Sequence, residues 1–497
     1  MDLGTASVKL AAFDESFQPV AMASAGYETP PVPGHPGWAE VSCGVWRAAL
    51  REAFGGLGES VDLHEVVSVG LATLFPTVVA LDEKGEALRP AVLYSDLRSQ
   101  AQVEWLDDRG LRAEIEDRRG GIILPGTTSV TTILWLRDWQ PEIFEQTAFF
   151  GHANTYLAAW LTGQFVIDTG SASLTGLFDP AAGAWDEVLL EATGLDGSLL
   201  PPALDGCALA GEVTQRAAER TGLKAGTPVA VGSGDSLAAC LGTAVVESGD
   251  ILDVGGTTDS VCLCVDRFQP TTGAFLSCHA VPSRWVCIAA TSFTGGSLPW
   301  LARSLGATQE ELFEEAAGAA PGAGGLIFLP YLKGERSPIL DPEARGAFVG
   351  LSDATTRADL SRAVMEGAAL ALRHILEAME QAHGFHIGEL TIVGGPSRRP
   401  LWNQIKADVC QRPVRVLEYQ ERSALGAALM GAIAGGHVPE YDSWAKTKDY
   451  SGVRDRLGTM CKVSNEFQPV PERGPRYDEL FDKYVALYPA LKGAGLF

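Results

Sequence analysis

An α/β chain of two similar lobes around a cleft is the fold class this sequence predicts, on three observations. Its 497 residues exceed one ordinary domain. Short apolar runs ending in glycine-rich turns alternate with helix-like segments, the pattern of strands that feed helices. An acidic residue followed by a glycine- and threonine-rich turn occurs twice, at Asp2-Leu3-Gly4-Thr5 and at Asp253-Val254-Gly255-Gly256-Thr257. Between them, Gly232-Ser233-Gly234-Asp235 puts one carboxylate at the end of an apolar run.

In the first lobe, Val8–Asp14 alternates like a strand, and Pro30–Gly37 reads as a rigid loop. Val45–Phe54 has helical spacing. Val66–Leu71 and Val78–Asp82 read as strands, and Tyr94-Ser95-Asp96-Leu97-Arg98 leads into a helix through Trp105. Thr131–Arg137, Thr155–Leu161 and Gly211–Leu223 read as helices. In the second lobe, Ser260–Asp266, Trp285–Ala290 and Leu390–Gly395 are strand candidates, while Gly296–Leu305 and Gln309–Ala317 are helical. Ala358–Met379 repeats apolar residues at helical intervals with charges opposite, and Ser423–Ala434 is a small-residue helix suited to tight packing. An aromatic stripe over Pro475–Leu491 predicts a helix lying back on the fold, packed as core. The expected division is 1–245, 246–440 and a tail over 441–497.

Bulk composition narrows the function. The net charge of −24 gathers no basic stripe, which argues against a nucleic-acid partner. Local donors and a metal ion can still bind an anion on such a surface. The nine cysteines are scattered without a CxxC pair, so reduced thiols are expected rather than zinc or disulfides. With no leader pattern and no bilayer-length apolar run, the expectation is a cytoplasmic protein without a membrane partner.

A turn of the form Asp-x-Gly-Thr offers backbone N–H groups to phosphate oxygens. Glycine allows the close approach and threonine adds a hydroxyl. One such turn has an ordinary steric explanation, but two in one chain point to a nucleotide held from both sides. Asp2 would then hold a magnesium ion, in part through water. Asp235 precedes an apolar helix and could serve as its N-cap. It also fits the carboxylate that phosphoryl transfer to an alcohol needs beside the attacking hydroxyl.

These residues resemble the FGGY family of carbohydrate kinases, xylulokinase-like members in particular, over almost the whole chain. Gly346-Ala347-Phe348-Val349-Gly350-Leu351, then Asp359-Leu360 and Ala363-Val364-Met365-Glu366, are similar to the family's second signature. Phe328–Pro338 resembles the segment before it, and Gly232-Ser233-Gly234-Asp235 resembles the catalytic GxGD. Gly394-Gly395-Pro396-Ser397, with Trp402 and Ala407-Asp408-Val409, resembles the adenosine-binding turn and helix. The resemblance implies two ribonuclease-H-like (actin-like ATPase) domains with an interdomain cleft, closing over ATP, Mg²⁺ and a sugar. It implies Asp235 as base, with Asp2 and Asp235 near the metal. It places Gly4, Thr5 and Lys9 of the first lobe and Gly256, Thr257, Gly295, Gly395 and Pro396 of the second on the nucleotide.

The sequence also departs from the family. Leu74-Phe75-Pro76 stands where xylulokinases carry Gln-Met-His, Tyr94 replaces a tryptophan ahead of Asp96 and Arg98, and Ser236 replaces an amide. Thr132 replaces a lysine in the first signature, of which Ile133–Asp138 fits. Phe75, Tyr94, Asp96 and Ser236 are therefore the expected acceptor contacts, with altered selectivity. Only Met1 precedes Asp2, and a phosphate turn needs a rigid strand beneath it, so a start upstream of Met1 is expected. The expected activity is ATP-dependent phosphorylation of a small sugar or polyol, most plausibly a ketose. A nucleotide-switched binding protein and a sugar-binding relic are the alternatives. The sequence is compatible with a homodimer and does not name the sugar.

Overall fold

The computed structural model describes residues 1–271 and 273–496 and builds them around two sheets of the same internal order. The first contains β1 (Asp2–Leu3), β2 (Ser7–Phe13), β3 (Pro19–Gly26), β4 (Ala72–Thr73) and β5 (Ser233–Gly234), arranged β5-β4-β1-β2-β3. β1 is antiparallel to β2 and parallel to β4, which is parallel to β5. The second contains β6 (Ile251–Gly255), β7 (Asp259–Val265), β8 (Phe275–Cys278), β9 (Trp285–Ala290), β10 (Leu390–Gly394), β11 (Val414–Leu417) and β12 (Val463–Phe467). Its order is β8-β9-β7-β6-β10-β11-β12. β6 is antiparallel to β7 and parallel to β10, β7 is antiparallel to β9, and β10 is parallel to β11. In both sheets three antiparallel neighbours, β1-β2-β3 and β6-β7-β9, are extended beside the first of them by two parallel strands. This duplication is the ribonuclease-H-like, actin-like arrangement, and it sets the Asp2 and Asp253 turns in equivalent places.

Seven helices matter for the site: α1 (Thr169–Ser173), α2 (Asp235–Gly242), α3 (Ser297–Leu305), α4 (Arg357–His383), α5 (Pro400–Cys410), α6 (Arg422–Ala434) and α7 (Gly474–Gly493). α2 and α6 cross at glycine. A Cβ on Gly242 would lie 2.2 Å from the Arg422 carbonyl oxygen, and one on Gly426 would lie 1.8 Å from that of Ala238. No side chain fits there, so the small residues of both helices set their approach. Ala238, Leu241, Leu425, Ala427 and Met430 form one core across the crossing. The aromatic stripe of α7 buries Tyr477, Leu480, Phe481 and Tyr484 in a core shared with α4 and α5. The segment after residue 440 also supplies β12, an edge strand of the second sheet.

Two expected elements differ. Gly211–Leu223 is not one helix: Leu209–Glu212 is a strand, and Thr214 caps a short helix over Gln215–Thr221 by accepting from the Ala217 N–H at 3.2 Å. A threonine with extended backbone makes a good cap, which divides the segment. Val66–Leu71 contributes only a bridge at Val69, and the strand proper is Ala72–Thr73. Beside it runs a slot of about 840 Å³, lined by Leu10, Phe13, Phe17, Phe54, Leu63 and Val69 among others; no predicted site residue lines it. Among the described residues no helix is long and apolar enough to cross a membrane.

Candidate active site

Asp235 is the first residue of α2, directly after β5, with Gly234 in the cap position. Its carboxylate accepts the Ser236 N–H, a free donor of the helix's first turn, at 2.7 Å and the Ser236 hydroxyl at 3.3 Å. Both bonds reach Oδ1, and among the described residues Oδ2 receives none, so that oxygen is left for other work. Its backbone is fixed from α6, where the Ser423 hydroxyl donates to the Asp235 carbonyl at 3.1 Å. Enclosure by protein, then the charge of Asp2, push the Asp235 carboxyl up to about 7, against the two bonds from Ser236. The side chain nevertheless keeps partial solvent access, as a group at the floor of a cleft does. Burial also raises Asp2, opposed by the chain's amino group and Lys9 and assisted by Glu421.

The predicted acceptor residues separate. Phe75 lies flat over Gly234, where a Cβ would meet its ring at 2.3–2.4 Å, so only glycine allows the ring this close to the base. Ser236 is adjacent through its bond to Asp235. Tyr94 is 38% exposed, and its main-chain carbonyl accepts from the Thr127 hydroxyl at 3.3 Å. Asp96 is a correction. Its carboxylate is fully buried and receives the Ala39 N–H at 2.6 Å, the Arg98 N–H at 2.8 Å and the Arg98 guanidinium at 2.8–2.9 Å. Arg98 in turn lies over the Trp38 ring at 3.9 Å and pairs with Glu40. The Asp-x-Arg element is thus an internal brace, with no carboxylate oxygen left for a sugar.

On the nucleotide side the second lobe gathers its predicted residues closely. A Cβ on Gly295 would stand 1.8 Å from the Gly256 carbonyl oxygen, and one on Gly394 would stand 2.1 Å from that of Gly255. Pro396 lies against both Gly255 and Gly295, while Gly395 has open space around its α-carbon. The Gly296 N–H donates to the Thr257 carbonyl at 2.9 Å, which seats the start of α3 on the turn. Three turns, after β6, after β9 and after β10, thus converge as a glycine cradle. Next to it, Ser397, Pro400, Asn403, Glu418, Gln420 and Phe467 help line a cavity of about 360 Å³. In the first lobe, Gly4 closes the β1–β2 turn through its N–H to the Ser7 carbonyl at 2.9 Å, and Thr5 is exposed. Lys9 is drawn elsewhere: its ammonium pairs with Glu421 at 2.5 Å.

The sequence reading passed over a buried cluster behind the cradle. Lys406 on α5 bonds Asp253 and stands 3.6 Å from Asp259, all three almost wholly buried. Burial lowers the Lys406 proton affinity, yet the two carboxylates outweigh it and raise the amine above its usual range. Asp259 rises to about 6, chiefly by burial, against the pull of Lys406. A lysine on the buried face of α5, between Trp402, Ile405 and Val409, was the available signal. Asp168 was passed over as well; it accepts from Ser233 behind the Asp235 strand.

For magnesium the residues present fit in part. Asp2 and Asp235 are hard oxygen donors, and the charge of Asp2 reaches Asp235. No group of three or more potential ligands occurs among the described residues. Two carboxylates with phosphate and water oxygens is the donor set magnesium takes in nucleotide sites. When bound, the ion would offset charge on the phosphates.

Residues 1–242 match the N-terminal domain model of the FGGY family of carbohydrate kinases, and residues 254–435 match its C-terminal domain model. A xylulose kinase of Escherichia coli (strain K12) is 31% identical over 87% of this chain and 89% of that one. An autoinducer-2 kinase of Klebsiella pneumoniae is 29% identical over 98% of this chain and 93% of that one. Among solved structures, a xyloylose kinase from Brucella ovis superposes with a TM-score of 0.89 at 30% identity, covering 99% of both chains.

Proposed function

We propose, given that the chain belongs to the FGGY family of carbohydrate kinases, that it transfers the γ-phosphate of ATP to a hydroxyl of a small ketose, xylulose or ribulose in kind, with Asp235 as general base. The observation that carries this is the Asp235 carboxylate: first in its helix, bonded through Oδ1 to Ser236 alone among the described residues, enclosed beside Asp2 and pushed up to about 7. A base in that range can take a proton from an alcohol as it attacks, without being permanently protonated at neutral pH. Phosphoryl transfer asks for little else from side chains beyond positioning and charge neutralisation. The glycine cradle of the second lobe would hold the phosphates and the 360 Å³ cavity the base of the nucleotide. Asp2 and Asp235 would hold Mg²⁺.

On the acceptor side, Phe75 supplies an apolar wall and Ser236 and the Tyr94 phenol supply hydroxyls. Where xylulokinases place Gln-Met-His this chain offers no amide or imidazole, so hydrogen-bonded discrimination falls to fewer groups. Relatives named for xylulose and for autoinducer-2 both lie near 30% identity, so both belong in the test. The experiment is ADP release across ketoses, polyols and autoinducer-2, at a cytoplasmic ATP level. One ketose should raise the rate sharply. Asp235→Ala should abolish that rise and leave ADP binding intact. Basal ATP hydrolysis indifferent to every acceptor would replace this reading with a nucleotide switch. Sugar binding without ADP release would replace it with a relic.

A further inference from the structure

Asp168 stands between the Asp235 strand and the second lobe, and nothing proposed above uses it. It caps α1, its Oδ2 accepting the Ser171 N–H at 2.9 Å. The same oxygen accepts the Ser233 hydroxyl at 2.9 Å, and Oδ1 accepts the Asn154 amide at 2.7 Å. All four residues are buried. Ser233 is half of the two-residue β5 that presents Asp235, so one side-chain bond braces that strand from behind.

The second lobe grips α1 from the other side. On β8, the Ser277 hydroxyl donates to the Gly170 carbonyl at 2.9 Å, and the Cys278 N–H donates to the Ser173 hydroxyl at 3.2 Å. A Cβ on Gly170 would lie 2.4 Å from Leu237 of α2 and 2.9 Å from the Cys278 carbonyl oxygen. The short helix is thus wedged between the helix that starts at Asp235 and an edge strand of the opposite sheet, with no slack at its glycine. Close-packed interfaces of this kind transmit displacement instead of absorbing it. Hydrogen bonds to a buried carboxylate are strong and costly to leave unmade.

We propose that Asp168 and Ser233 are positioning residues through which β8 of the second lobe sets the placement of Asp235, so that nucleotide binding and alignment of the base are one movement. This rests on Asp235 being the base, and the test separates the two claims. Ser233→Ala should lower kcat for the best acceptor about tenfold, since small misplacement of a reacting group is costly. Acceptor KM and ADP affinity should stay within about twofold. Independently of turnover, ADP should slow amide hydrogen exchange over residues 231–237 in the unaltered protein. That protection should be lost in Asp168→Asn and in Ser277→Ala. If no acceptor is turned over, the base assignment fails while the exchange data still judge the coupling. Unchanged kcat in Ser233→Ala, or ADP protection that persists in Ser277→Ala, overturns the proposal. Should Asp168→Asn not fold, Ser277→Ala alone decides.

Discussion

Asp2 and Asp253 occupy the same place in two copies of one sheet, each on the first strand just ahead of a glycine turn. Their surroundings have opposite character. Asp253 is neutralised from within by Lys406, which also serves Asp259. Asp2 has the chain's amino group and a share of Lys9, whose ammonium is bonded to Glu421, and its charge raises Asp235. The duplicated position has thus been used once as an internal brace and once as part of a cleft. A buried charge with a partner supports a fold, whereas one facing a second carboxylate is held for a cation or a proton.

The comparison breaks most visibly at Lys406. Lys406→Met would leave two buried carboxylates without a cation, and the expected loss of stability is about 3–5 kcal/mol by urea unfolding at pH 8. The sign with pH follows. Burial already raises the Asp259 carboxyl and Lys406 chiefly opposes it, so without the ammonium the loss should shrink as pH falls toward 5 and grow as it rises. A loss independent of pH would mean that only packing was removed. Asp2→Asn should do the reverse, sparing stability while lowering turnover about 10²-fold with weaker dependence on Mg²⁺. In the unaltered protein kcat/KM should rise through pH about 7 as Asp235 ionises. In Asp2→Asn that acid limb should move to lower pH, because the neighbouring negative charge is gone. Gly295→Ala comes next, since its methyl would strike the Gly256 carbonyl. It should weaken ADP binding about tenfold or more, read by titration calorimetry, with acceptor binding less affected.

What was legible in the sequence follows the same division. The turns at Gly4 and Gly256, the Asp235 helix start and the long amphipathic α4 announce themselves by local residue pattern, and the structure holds them at nearly the expected bounds. Contacts between distant segments left no local mark. Asp96 looked like a sugar ligand because it sits beside Tyr94, yet Arg98 and the Ala39 N–H consume it, and Ala39 is 57 residues away in the chain. Lys406 and Asp253 are 153 residues apart, so neither predicts the other. Asp168 belongs to no motif singled out in the sequence, and only the fold brings it to Ser233, 65 residues on.

The smallest effect concerns the first-lobe lysine. Lys9 and Glu421 are partly exposed, 36% and 27% by side chain, at 2.5 Å. A pair so placed contributes about 0–1 kcal/mol, so Glu421→Gln should shift the urea midpoint little. Its consequence for the site should be larger. Lys9 lies directly across from Asp2 on the neighbouring strand, so an ammonium released from Glu421 has the first-lobe turn within its reach. The family resemblance puts that lysine on the nucleotide, and Glu421 holds it aside. Glu421→Gln should therefore lower the KM for ATP about two- to threefold at low salt, with the gain fading as ionic strength rises. An unchanged or higher KM would show instead that Glu421 steers Lys9 toward the phosphates. The pair would then belong to the cleft, and the contrast between a braced second lobe and an open first one would narrow to Asp2 alone.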